Sequence, residues 1–127
     1  MRLFLVRHAE AASGEPDALR PLTSAGRASA RMLGEQLAAE QLDAVLCSPL
    51  LRARETAEEI ARAANLAAEV DERLAPGANA DDVREAVTGR GEAVVAVGHQ
   101  PDCSEILLDL TGASRPFTPG DFAMVEL

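Results

Sequence analysis

Short unbroken apolar runs alternate along this chain with stretches whose apolar residues recur every three or four positions. Leu3-Phe4-Leu5-Val6, Ala44-Val45-Leu46-Cys47 and Ala93-Val94-Val95-Ala96-Val97 show no polar alternation. That is the pattern of strands buried on both faces, as in a parallel sheet. Phe122-Ala123-Met124-Val125 predicts a last strand. Between the runs, Thr23 is a good helix N-cap, and Ala30, Leu33 and Leu37 form one apolar face after it. Ala53, Ala57, Ile60, Ala61 and Ala64 predict a second helix, with Arg54, Glu55, Glu58, Glu59 and Arg62 on its charged face. Glu69 to Leu74 reads as a short extended piece that Pro76-Gly77 ends. A short helix with Ala80, Val83 and Val87 facing inward is capped by Asn79 or Asp81. Another follows with Cys103, Ile106, Leu107 and Leu110 inward, and Pro101 suits its first position. This β-α-β-α-α-β-α-β order predicts one α/β domain over residues 1–127, a three-layer α/β/α sandwich around a mostly parallel central sheet.

Composition narrows the classes. With aromatic residues at 2%, the core must be built from Leu, Val, Ile and many Ala. A formal net charge of -9 argues against nucleic-acid binding and against adhesion to an anionic membrane. An anionic ligand must then be drawn by a local positive pocket. No apolar run is long enough to span a bilayer, and Arg7 and His8 interrupt the N-terminal run too early for a signal peptide. Cys47 and Cys103, at apolar positions without CxxC spacing, read as reduced buried thiols. The expectation is a cytoplasmic protein.

The chain has two histidines, and each follows an apolar run: His8 after Leu5-Val6-Arg7, and His99 after Val97-Gly98. In a parallel sheet, ligands bind at the carboxyl ends of the strands. Arg52, in the first turn of the helix after the second run, falls on the same edge. Arg54 lies about 200° around that helix from Arg52 and is read as a surface residue. Two guanidiniums and two imidazoles on one edge make a cationic pocket. Guanidinium forks match phosphate oxygens, and an unprotonated imidazole is a nucleophile near neutral pH. Arg20, held extended before Pro21, belongs to a loop expected over the pocket rim, where it would bind substrate. No metal or other cofactor is implied, since two imidazoles alone are a poor ligand set.

Four ordered segments carry a resemblance. They are Leu5-Val6-Arg7-His8-Ala9, Arg20-Pro21-Leu22-Thr23-Ser24-Ala25-Gly26, Ser48-Pro49-Leu50-Leu51-Arg52-Ala53-Arg54-Glu55-Thr56 and Val97-Gly98-His99-Gln100-Pro101. Together they resemble the histidine phosphatase superfamily. The compact length and the Arg-Pro-Leu-Thr segment resemble its SixA-type phosphohistidine phosphatases in particular. The resemblance implies a phosphoglycerate-mutase-like form of the predicted fold. It implies that His8 is the nucleophile, that Arg7 and Arg52 bind phosphate, and that His99 is the second phosphate-pocket histidine. The family's usual Arg-His-Gly reads Arg-His-Ala here, with Ala9.

The implied activity is a phosphatase working through a phosphorylated His8, with Arg7, Arg52 and a protonated His99 holding the non-bridging oxygens. Phosphohistidine on a partner protein is the expected substrate. A chain this short leaves little for a lid, and imidazole departs with less acid assistance than an alkoxide. Glu72, Asp81 and Asp82 are the carboxylates in the stretch where many family members carry a proton donor, and the sequence does not choose among them. The alternatives are a phosphomonoesterase acting on a small phosphorylated metabolite, and a non-catalytic module that binds phosphoproteins.

Overall fold

The computed structural model describes residues 1–127. Five strands form one sheet: β1 (Arg2–Arg7), β2 (Ala44–Cys47), β3 (Ala68–Val70), β4 (Ala93–Gly98) and β5 (Phe122–Glu126). Their order across the sheet is β3-β2-β4-β1-β5, and only β5 runs antiparallel to its neighbour. Four helices cover the faces: α1 (Ser24–Ala38), α2 (Leu51–Ala63), α3 (Ala80–Val87) and α4 (Asp102–Thr111). The expected three-layer α/β/α arrangement is found.

The apolar runs explain the layering. Along β1 successive side chains point to opposite faces. Leu3 and Leu5 join Leu46, Val94 and Ala96 under α3 and α4. Phe4 and Val6 join Val45, Val95 and Val97 under α1 and α2. Both faces are covered, so no polar residue can alternate into the run. Each fully buried side chain of this kind, such as Ile60 on α2, is worth roughly 1.5–3 kcal/mol over leaving it in water.

Two differences from the expected pattern have physical reasons. Residues 68–70 form a strand, β3, placed on the sheet edge with Glu69 and Val70 exposed. A half-solvated edge strand needs no apolar run. On α2, Glu59 is buried rather than on a solvated face. Gly34 of α1 lets the two helices close at that point: a Cβ there would lie 2.8 Å from the Glu59 carbonyl oxygen. The Arg62 guanidinium pairs with the Glu59 carboxylate from the solvent side. Glu55, on the same face, accepts from the Leu22 backbone N–H (2.8 Å) and from Arg27 (2.8 Å).

Capping agrees with the sequence. Thr23 accepts from the Gly26 N–H, and Asn79 rather than Asp81 caps α3, in a capping box with Asp82. Gly26 also marks a close approach. A Cβ on it would stand 2.1 Å from the carbonyl oxygen of Glu10, in the segment that leaves β1. Gly26→Ala is therefore expected to lower stability by about 1–3 kcal/mol through overpacking, read as a fall in the urea midpoint at constant slope. No helix is long and apolar enough to cross a membrane.

Candidate active site

Three parallel strands end in register. Arg7 pairs with Gly98 across β1 and β4, and Cys47 with Val97 across β2 and β4. The next residues, His8, Ser48 and His99, therefore stand side by side. The His8 N–H donates to the Gly98 carbonyl (3.0 Å), and the Ser48 N–H to that of Val97 (3.0 Å). The imidazoles of His8 and His99 lie 5.3 Å apart, centroid to centroid, tilted by 59°. The two histidines are brought together at the predicted edge.

Each ring is oriented by a partner. The Nδ1 of His8 lies 2.8 Å from the Ala9 carbonyl oxygen. A carbonyl only accepts, so Nδ1 carries the proton and Nε2 keeps its lone pair. The Nε2 of His99, which is buried, lies 2.7 Å from Ser48 Oγ. That oxygen also accepts from the Leu50 N–H (3.2 Å). Ser48, fully buried, was not picked out by sequence. Its signal is weak, a Ser one residue past an apolar run.

The arginines surround this pair. Arg7 donates from Nη1 to the Phe117 carbonyl (2.8 Å), while its buried Nε has no protein acceptor. Such a donor costs about 1–3 kcal/mol until an acceptor meets it, so Nε is free for an anion. Arg52 is buried where Arg54 is exposed, as their spacing on α2 predicted. Its Nη1 donates to the Asp17 carbonyl (2.9 Å) and its Nη2 to the Asp17 carboxylate (3.3 Å). Arg20 is half-buried, with Nε on the Ala12 carbonyl and Nη1 on Asp17 Oδ1 at 3.0 Å. A buried hydroxyl joins the two halves of the site. Thr56 Oγ1 accepts from the Ala9 N–H (3.0 Å) and donates to the Arg52 carbonyl (2.8 Å).

The chain matches the family model of the histidine phosphatase superfamily (branch 1) over residues 3–76. It is 33% identical to phosphohistidine phosphatase SixA of Escherichia coli (strain K12), over 100% of this chain and 86% of that protein. The chain belongs to the histidine phosphatase superfamily. A solved structure of the protein histidine phosphatase SixA complexed with tungstate superposes with a TM-score of 0.88 at 33% identity, covering 100% of this chain and 88% of that one. The native structure of a mycobacterial glucosyl-3-phosphoglycerate phosphatase superposes with a TM-score of 0.76 at 18% identity, over 97% of this chain and 88% of that one. At that identity it shows the fold alone. The superfamily and the likeness to SixA both agree with the four sequence segments.

The superfamily's usual glycine after Arg-His is accommodated here as alanine. Ala9 does not adopt positive φ. Its methyl group packs, fully buried, against Leu22 and Ala30. The carboxylates considered as donors are dispersed. Asp82 is engaged in the α3 cap, and Asp81 flanks a surface depression with Arg84 and Asp109. Glu72 is exposed at the start of the 3-10 turn Glu72–Leu74 that follows β3. The acid bonded to the site arginines is Asp17, which the sequence reading did not choose. No group of three or more His, Cys, Asp or Glu side chains is placed to hold a metal ion.

Electrostatics favour neutral imidazoles. Burial holds the His8 pKa below its ordinary value, and the charges of Arg52, Arg7 and Arg20 add to this against the Ala9 hydrogen bond. Burial, then His8 and Arg52, push His99 down to about 4. In the free site His99 is thus neutral at pH 7, chiefly through its burial. Both folded pKa values lie below the unfolded 6.5, so the unfolded chain binds more protons. Stability is expected to be full above pH 6.5 and to fall as pH drops from 6.5 towards about 4. Ring-proton titration of the two histidines, with urea melts across this range, checks it. A His99 titrating near 6.5 would contradict it.

Proposed function

We propose that the protein hydrolyses phosphohistidine on a partner protein, carrying the phosphoryl group on His8 between two displacement steps. The observation that carries this reading is the imidazole pair, with the Nε2 lone pair of His8 left free beside Arg7 and Arg52. In the first step Nε2 attacks phosphorus in line. The bond from phosphorus to His8 forms as the bond to the leaving nitrogen breaks, and that nitrogen keeps the electron pair. Arg7 Nε, the Arg52 guanidinium and an N–H of the His99 ring meet the non-bridging oxygens as charge spreads over them. A bound phosphoryl dianion also raises the pKa of His99 and strengthens that donor.

In the second step water attacks phosphorus, and His8 leaves. Because Nδ1 keeps its proton against the Ala9 carbonyl, His8 departs as a neutral imidazole. Both water protons stay with the phosphate, which releases one to solvent. No separate acid is required for either ring to leave, provided each keeps a proton on its far nitrogen.

The substrate side rests on two supports. The likeness to SixA points to a phosphorylated histidine protein. The surface concavities of this molecule lie elsewhere, as between α1 and α2 where Arg31, Glu35, Glu59 and Arg62 line one. His8 itself is only half-buried at this edge, which leaves it within reach of a side chain on another protein's surface. Arg20, at the rim, would bind the substrate's phosphate or an acidic partner surface. The test sets a histidine-phosphorylated carrier domain beside a panel of phosphomonoesters. Turnover of the carrier supports the reading. Turnover of a phosphomonoester with none of the carrier sinks it.

A further inference from the structure

Asp17 belongs to no capping motif and to no part of the mechanism above, yet it touches both rim arginines. It starts the 3-10 turn Asp17–Leu19. Its carboxylate takes one bond from Arg20 on Oδ1 (3.0 Å) and one from Arg52 on Oδ2 (3.3 Å). Its backbone carbonyl takes a third, from Arg52 (2.9 Å). The side chain nevertheless remains 65% exposed. A carboxylate has about four lone-pair positions, so two remain for something arriving from solvent. Its charge reaches the pocket, where it acts on His99.

The chemistry of the substrate says what that something is. Phosphoryl transfer between two imidazoles makes the same demand on both rings. Each leaves well only as a neutral imidazole, and so only if its nitrogen remote from phosphorus is protonated while the bond breaks. On the enzyme's ring the Ala9 carbonyl enforces this. The substrate's ring enters from the rim, on the side of phosphorus away from His8, with no main chain of its own fixed there. We propose that Asp17 is the matching acceptor: its carboxylate takes the N–H of the substrate's phosphoimidazole, holds that ring as the imidazolium, and thereby selects phosphohistidine over phosphate esters.

This rests on the phosphohistidine reading and deepens it. During the step, the phosphorus–nitrogen bond breaks and its electron pair returns to the ring. The proton stays on the remote nitrogen, and a neutral imidazole departs. Asp17 need not give up or gain a proton. Its bonds to Arg20 and then the charge of Arg52 hold its pKa below the ordinary carboxylate value, which suits an acceptor and not a donor.

The experiment compares wild type with Asp17→Asn and Asp17→Glu on two substrates across pH 5 to 9: a histidine-phosphorylated carrier protein and p-nitrophenyl phosphate. The second has a leaving group that departs without a proton. An opposite charge within hydrogen-bond reach shifts a pKa by about one unit or more. The ratio of kcat/KM values, carrier over ester, is therefore expected to fall about tenfold in Asp17→Asn. The alkaline limb of its carrier profile should move down by about one unit, and Asp17→Glu should recover part of both. Equal losses on the two substrates would mean that Asp17 only holds Arg52 in place, and would overturn the proposal. So would a carrier profile with the wild-type alkaline limb. If wild type itself hydrolyses the ester and not the carrier, the phosphohistidine reading fails and takes this inference with it.

Discussion

His8→Ala is expected to stop turnover, with a loss of about 10⁴-fold or more, as when the nucleophile of a covalent mechanism is removed. The rate is measured on a phosphorylated carrier, and the intermediate by rapid quench with labelled substrate. Wild type should retain label in a linkage stable to base and labile to acid, as a phosphoramidate is, and His8→Ala should retain none. The fold should survive, because His8 is only half-buried and lies beyond the last residue of β1. Wild-type turnover by His8→Ala would refute the assignment. Loss of turnover with label still bound would move the nucleophile elsewhere.

Arg52→Ala should cost about 10²–10³ in kcat/KM, the range seen when one preorganised donor to a developing oxyanion is lost. The same substitution at Arg54, two residues on, should change it little. The contrast follows from burial alone: the Arg52 guanidinium is enclosed at the strand edge and Arg54 faces water. Competitive inhibition by inorganic phosphate gives a second measurement, since the arginine that holds the phosphoryl group should also hold the product. Phosphate inhibition of equal strength in wild type and Arg52→Ala would take Arg52 out of the pocket.

Much of this was legible in the sequence, for reasons that can be named. Three strands buried on both faces leave unbroken apolar runs, and a parallel sheet brings their ends to one edge. His8, His99 and the first turn of α2 could therefore be put together without coordinates. The helix faces of α1 and α3 followed from spacing, and Arg52 was separated from Arg54 by rotation about a helix axis. What could not be read depends on contacts between distant segments. Asp17 meets Arg52 across 35 residues, and nothing in Glu-Pro-Asp-Ala-Leu signals that a carboxylate there faces a guanidinium. Glu59 is buried because Gly34 lets two helices close on it. Ser48 gains its meaning only when His99 is set beside it by β4. The neutrality of His99 in the free site was hidden for a similar reason: it is the summed effect of burial, foremost, and of His8, Arg52 and Arg7 from two separate segments.

The choice of the reacting nitrogen on His8 has a consequence for how this site can vary. In many enzymes a side chain fixes the tautomer of a histidine, and one codon change can remove it. Here the acceptor is the main-chain oxygen of residue 9, which every amino acid possesses. Substitutions at that position can crowd the turn or loosen it, but none deletes the atom. The orientation of the nucleophile is therefore heritable independently of the identity of residue 9, and an alanine there preserves it.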